Sequence, residues 1–440
     1  MPGSSTRFFW LLGLATVATC AAYSWLVLAG ASLAEILALD GIAAVHEHWH
    51  IRTVTLQELV TFRLALGLTA AVLGLAGVWL AGRSQSRQQL HSLRTELRAT
   101  WQELARSLMR LPRRAKWSAL LGLTVLTALR TYFSLTKPLH PEEIASYEYF
   151  VSRGLLAVTA YYPIPNNHIL SNTLSWVFYQ ANPAFWWTMR LPVLLVSTTG
   201  TALLFAGLLR WSNFRTSAWA TAGFCWLQLS LYNASAGRGY WLLMTLASGL
   251  FFCTLALSQQ PKRARAAWLG LVLTSVAGCY TIPIFIYALG SALGWLAWQS
   301  WRRREWPQIA RVAAAALIIA ASCVALYAPT MLISGSRLFG NGFVSARKAD
   351  VFWPGLPAYA WYTEGMLAGQ RTLGAAVVVI VLIATGFALW QGRNTRSVLA
   401  PHTKAALARA HLRATALWFV AFPYGLILAQ RVFPPERVLL

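Results

Sequence analysis

Acidic residues are scarce in this 440-residue chain: 13 aspartates and glutamates stand against 37 lysines and arginines. Charge of either sign is thin as well, at 11% of residues, while 57% are hydrophobic. That leaves too little polar surface to cover a soluble globule of this size, so the chain reads as a multi-spanning, all-α membrane protein. Cysteine is sparse too. Cys20, Cys225, Cys253, Cys279 and Cys323 all lie in apolar stretches, none with a partner at metal-ligand spacing, so neither a disulfide framework nor a cysteine metal site is implied. No internal repeat of fixed period and no low-complexity segment is visible.

What the chain has instead is long apolar runs. Runs near the roughly 20 residues that cross a hydrocarbon core predict about eleven spans. They fall near residues 8–28, 64–80, 117–136, 191–209, 218–231, 240–257, 267–280, 283–298, 312–332, 373–389 and 416–428. The stretch Ala267 to Trp298 is too long for one crossing and is basic at both ends, which predicts two short helices turning near Tyr280-Thr281-Ile282-Pro283. The first span continues to Leu28, beyond a usual signal-peptide core, and reads as a retained anchor.

A strongly basic balance could indicate nucleic acid, yet the cations are distributed as a membrane topology requires. With the N-terminus in the cytosol, the clusters Arg83 to Lys116, Lys262 to Arg265, Arg302 to Arg311 and Arg393 to Arg413 all fall inside. Most acids fall outside, leaving only Glu96, Glu103 and Glu305 within. The excess charge therefore reports orientation and contact with anionic membrane lipids, and no nucleic-acid partner is expected.

The clearest division lies after the second span. Leu90, Leu93, Leu97, Trp101, Leu104 and Leu108 recur at helical spacing with Arg94, Arg98, Arg106 and Arg110 between them, a basic amphipathic helix suited to the cytosolic headgroup layer. Residues 1–116 read as an accessory transmembrane hairpin plus this helix, and 117–440 as the working module. Two outer segments, Lys137 to Trp187 and Ser334 to Arg371, are long enough to build a site, the second carrying Arg337 and an aromatic cluster.

The first outer segment opens with His140-Pro141-Glu142-Glu143, two adjacent carboxylates directly after an apolar span. Acids are costly beside hydrocarbon unless something uses them. A carboxylate in reach of an acceptor hydroxyl can act as general base, and two neighbours interact, so one can hold a proton or a metal while the other works. The plain alternative is that the pair opens a helix, where acids favour the positive end of the dipole. Asn166-Asn167-His168 follows, then Arg190-Leu191-Pro192 at a span, Arg238-Gly239-Tyr240 at another, and Pro435-Glu436-Arg437 near the C-terminus. Arg130, Arg238 and Arg437 could equally be cations that snorkel to headgroups.

Taken in order, these features resemble the GT-C class of membrane glycosyltransferases, the superfamily of protein O-mannosyltransferases and the lipid A aminoarabinose transferase. The likeness runs from Trp117 to Leu440. It implies a GT-C-like core with interfacial helices in its first outer loop, and inverting transfer of a sugar from a polyprenyl-phosphate donor to a glycan, lipid or protein acceptor at the extracytoplasmic face. Residue by residue, it implies that the class's Asp-Glu pair falls on Glu142 and Glu143 and that substrate contacts fall on Asn166, Asn167, His168, Arg238, Tyr240 and Arg437. Glu in place of Asp at the first position leaves open which of the two is the base. A divalent metal is compatible with the pair and is not demanded by it. His46-Glu47-His48-Trp49-His50 offers two ligands in helical or strand geometry but lacks a clear third. Arginine greatly outnumbers lysine and the outer loops are compact, which suggests a bacterial inner membrane. The competing classes are a transporter or lipid flippase, marked by midplane charges and broken helices, and a noncatalytic assembly subunit on the same fold.

Overall fold

The computed structural model describes residues 3–43, 52–164, 166–259, 264–335, 346–370 and 404–434, together with 372–374, 376, 379 and 383. No strand occurs among them. The chain begins with α1 (Gly3–Ala29), the short α2 (Leu33–Ala38) and α3 (Asp40–Ala43), then α4 (Leu56–Gly82) and α5 (Ser84–Met109). Next come α6 (Arg113–Thr136), α7 (Pro141–Tyr149), α8 (Leu155–Ala160), α9 (Ile169–Ala181) and α10 (Leu191–Trp211). The remainder comprises α11 (Phe214–Trp226), α12 (Gln228–Ser235), α13 (Tyr240–Gln259), α14 (Arg265–Thr281), α15 (Ile286–Arg302), α16 (Trp306–Ser334), α17 (Ala349–Ala368) and α18 (Lys404–Gln430).

Seven of these segments are long and apolar enough to cross a membrane: Thr6–Ala29, Leu56–Gly82, Arg113–Thr136, Trp186–Trp211, Tyr240–Gln259, Trp306–Ser334 and Ala410–Gln430. The sequence predicts about eleven, and the difference has local causes. The run at 218–231 is cut where Leu227 adopts φ −56° and ψ 137°, which separates α11 from α12. Both α14 and α15 have 17 residues, about 26 Å at helical rise, which is at the lower limit of what spans a hydrocarbon core. They are divided by a single 3-10 turn at Pro283–Phe285, close to the expected turn. The run at 373–389 lies almost entirely outside the described residues.

Helix α1 is built into the bundle rather than set beside it. Ser24 Oγ donates to Ala325 O of α16 at 2.7 Å, and Phe9 meets Trp268 of α14 edge-on at 5.3 Å. α4 shields α1 on one side and presents most of its own surface outward. α10 and α13 pack closely because glycine faces side chain: a Cβ at Gly200 would lie 2.1 Å from Thr245 Oγ1, and one at Gly207 2.3 Å from the Phe252 ring.

One end of the bundle is basic. There α5 turns its polar residues inward: Arg265 donates to Gln89 Oε1 (2.7 Å) and Glu96 Oε1 (2.8 Å), Ala266 N–H donates to Glu96 Oε2 (3.1 Å), and Arg210 pairs with Glu103 at 2.6 Å. Of its apolar row, Leu90, Leu97, Trp101 and Leu108 are exposed, while Leu93 packs against the core and Leu104 is half-buried. Arg303 donates to Ser258 O near the end of α13, so α15 returns to the end from which α14 starts. The opposite ends of α6, α10 and α13 converge on the candidate site.

Candidate functional site

Helix α7 begins where Pro141 supplies a preset φ at the first turn. His140 acts as its cap: Nδ1 accepts from Glu142 N–H at 3.3 Å, while the His140 N–H donates to Glu143 Oε2 at 3.0 Å. The two adjacent glutamates therefore leave the backbone in different directions and meet different surroundings.

Glu143 points inward and is 1% exposed. Arg190, on a π-helical turn at Trp186–Arg190 just before α10, grips it with Nε to Oε1 at 3.0 Å and Nη2 to Oε2 at 2.9 Å. Gly237 N–H donates to Oε1 at 2.6 Å. With His140 N–H, the carboxylate accepts four hydrogen bonds, which is its full complement. The rest of the Arg190 guanidinium binds Ser134 O (2.7 Å), Lys137 O (3.0 Å) and Pro138 O (3.1 Å), the open carbonyls at and beyond the end of α6. One buried ion pair thus joins α6, α7, α10 and the loop between α12 and α13. Gly237 is required there, since a Cβ would lie 2.7 Å from Met189 Cβ.

Glu142 lies at the surface of the same cluster. Its side chain is 27% exposed, and its carboxylate approaches Arg238 Nη2 at 3.5 Å. Arg238 is 5% exposed and heavily engaged: Nη1 donates to Glu142 O and Ser146 Oγ, each at 3.0 Å, and to Asn166 Oδ1. Its Nε is buried without a hydrogen-bond partner among the described residues.

His168 accepts from Gly239 N–H through Nδ1 at 3.0 Å, while Nε2 lies 3.2 Å from Arg238 Nη2. Acceptance at Nδ1 assigns the neutral ring's proton to Nε2. An imidazole N–H and a guanidinium N–H then converge on one region, an arrangement suited to an anionic oxygen. Tyr240 packs edge-on to His168 at 4.9 Å and lies 5.8 Å from the Arg238 guanidinium carbon.

Of the residues singled out in the sequence, Glu142, Glu143, Asn166, His168, Arg238 and Tyr240 come together. Asn167 does not face the cluster: it donates to Val158 O and Tyr161 O and accepts from Asn172, so it holds the loop's shape. Arg437, Arg337 and the histidines at 46, 48 and 50 lie outside the described residues. No group of three metal-ligating side chains occurs among the described residues.

Sequence reasoning missed Arg190 and Ser146 as members of the site. Ser146 sits one turn after Glu142 and carries that signal. Arg190 looks like any cation at the start of a span until its partner is seen. Burial pushes the Tyr162 phenol up to about 12, against a smaller opposing effect of Arg238, which keeps this tyrosine neutral and unfit as a base near neutral pH. Comparison with protein-family models, curated proteins and solved structures finds no match to this chain.

Proposed function

We propose that this protein is a GT-C-type glycosyltransferase that moves a sugar from a polyprenyl-phosphate carrier to a glycan, lipid or protein acceptor at the extracytoplasmic face of a bacterial inner membrane. The observation that carries this reading is the unequal environment of the two glutamates. Glu143 is saturated by Arg190, Gly237 and His140, whereas Glu142 is accessible beside Arg238.

In this reaction Glu142 takes the proton of the acceptor hydroxyl as its oxygen bonds to the anomeric carbon from the face opposite the phosphate. The bond from that carbon to the phosphate oxygen breaks, its electron pair stays on the phosphate, and the anomeric configuration inverts. Arg238 and the Nε2–H of His168 stabilise the charge that develops on the leaving group, a contribution of about 2.7–4 kcal/mol to the barrier in comparable electrostatic sites.

One observation speaks for transport instead. Arg130 in α6 is fully buried, its Nε and Nη2 lack hydrogen-bond partners, and its guanidinium lies 4.3 Å from the Trp241 ring. A single buried cation with no carboxylate in ion-pair distance among the described residues is not a relay, and the enzyme reading uses more of the observed cluster. The test is release of polyprenyl phosphate by purified protein given a polyprenyl-phosphate sugar and acceptor. Glu142→Gln should lose turnover while keeping wild-type thermal stability, and undiminished turnover in that variant would end the assignment.

A further inference from the structure

Arg130 stands inside an apolar span, where a cation is costly and calls for a counter-charge. It is 0% exposed, and no carboxylate comes within ion-pair distance of it among the described residues. Its Nη1 donates to Ser197 O and Thr201 Oγ1 of α10, each at 2.9 Å, and its guanidinium carbon lies 4.3 Å from the Trp241 ring of α13. Its Nε and Nη2 are buried with no hydrogen-bond partner among the described residues.

Those two donors lie side by side on one edge of the guanidinium plane. Arg190 shows what this edge can take: its Nε and Nη2 hold both oxygens of Glu143, at 3.0 and 2.9 Å. At Arg130 no described side chain plays the part of Glu143, and Cys225 is not a hidden anion. Thr201 Oγ1 gives its one proton to Ser197 O at 2.7 Å, so in its 3.5 Å contact with Cys225 Sγ the sulfur is the donor and therefore a thiol. Two hydroxyls nearby are left over as well. Thr221, one turn before Cys225 on α11, and Ser230, whose carbonyl takes the Trp241 indole N–H at 2.8 Å, have buried Oγ atoms without partners among the described residues. In Thr201 and Thr245 the hydroxyl bonds back to its own helix instead.

This place is separate from the candidate site. Ser197 and Thr201 lie about two and three turns along α10 from Arg190, which sets the Arg130 guanidinium about 10 Å or more from the Glu143 pair.

We propose that Arg130 holds a small monovalent anion, of the class of chloride or formate, inside the bundle, with Nε and Nη2 donating to it. The charge follows from the guanidinium, which stays singly positive at any physiological pH. The size follows from enclosure: a group with no exposed surface admits an ion of a few atoms and not a lipid headgroup or a sugar phosphate. The site does not rest on the glycosyltransferase reading, and it accounts for a cation that the reaction does not use.

Full-length protein purified in neutral detergent with gluconate as the only anion tests this. Thermal unfolding is followed as chloride or formate replaces gluconate at constant ionic strength. Both small anions should raise the midpoint saturably, by about 2 °C or more, because they bind the folded chain and not the unfolded one. Arg130→Met should lose this response, and Arg130→Lys should keep a weaker one, having the charge without the two-donor edge. A wild-type midpoint that does not distinguish the small anions from gluconate would overturn the proposal without recourse to any variant. So would a response of equal size in Arg130→Met, which assigns the effect to the exposed cations of the basic end.

Discussion

Replacing Glu143 by glutamine keeps the size and shape of the side chain and removes its charge, and the structure predicts that the fold will suffer for it. Four donors converge on this carboxylate: two from Arg190, one from Gly237 and one from His140. A glutamine can accept only at its one oxygen, and its amide N–H groups would then face donors that already point at them. Charge-assisted bonds contribute about 1.5 kcal/mol or more each, so four counted singly would total about 6 kcal/mol. They share one group and are not additive, and breaking a buried pair by removing one partner typically costs about 3–5 kcal/mol. That range is the expected loss for Glu143→Gln. Replacing both partners together, Glu143→Met with Arg190→Met, should not recover it, because Gly237 N–H, His140 N–H and the carbonyls of Ser134, Lys137 and Pro138 then lose their partners. Reversible unfolding of purified protein in mixed micelles measures both. A Glu143→Gln variant as stable as wild type would refute the claim that this residue is held as a structural acid.

Two further outcomes follow from other contacts. Gly207→Ala should destabilise by about 1–3 kcal/mol, since its Cβ would press into the Phe252 ring at 2.3 Å and overpack the α10 and α13 contact; Gly122→Ala in α6, with nothing within 4 Å, should be neutral or stabilising in the same assay. Burial and Arg190 lower the Lys137 pKa from the ordinary lysine value of 10.5, so the unfolded chain holds this proton more tightly and folding stability should rise with pH just below that value. Lys137→Met should remove that part of the rise, and an identical pH dependence in both proteins would dismiss Lys137 as the titrating group.

The all-helical fold was legible because apolar length and basic clusters are one-dimensional signals. The turn at Ile282-Pro283 was legible for the same reason, as basic residues at both ends demanded a return. The number of crossings was less so: a window of hydropathy does not register that Leu227 leaves helical geometry or that α14 and α15 stop at 17 residues. In α5 the period was right and the inward face was not obvious. Most of its apolar row faces out, with Leu93 against the core, and Gln89, Glu96 and Glu103 turn to Arg265 and Arg210. At the site, the pairing of the acids with distant arginines was anticipated in kind, but spacing cannot tell which glutamate turns inward. That depends on the cap at His140 and on Arg190, a residue 47 positions away. Nor can spacing tell that the backbone carbonyls of Val158 and Tyr161 claim the Asn167 amide.

Scarcity of acid makes the use of each one informative. Glu35 and Glu58 close capping boxes with Ser32 and Thr55 at the starts of α2 and α4. Glu96 binds Arg265 and the first turn of α14, Glu103 binds Arg210, and Glu143 binds Arg190. The last two pairs secure opposite ends of α10, the helix that carries Arg190 from the site toward the basic end. Each of these acids has a structural task that accounts for its presence near an apolar bundle. Glu142 is different. Its carboxylate lies 3.5 Å from Arg238 Nη2, longer than the pairs of Glu96, Glu103 and Glu143, and Arg238 is also held by Ser146, Asn166 and a backbone carbonyl. Arg238 therefore does not depend on the Glu142 carboxylate alone for its place. A proton acceptor that the fold positions through its backbone, while leaving its side chain accessible, is what general-base chemistry requires.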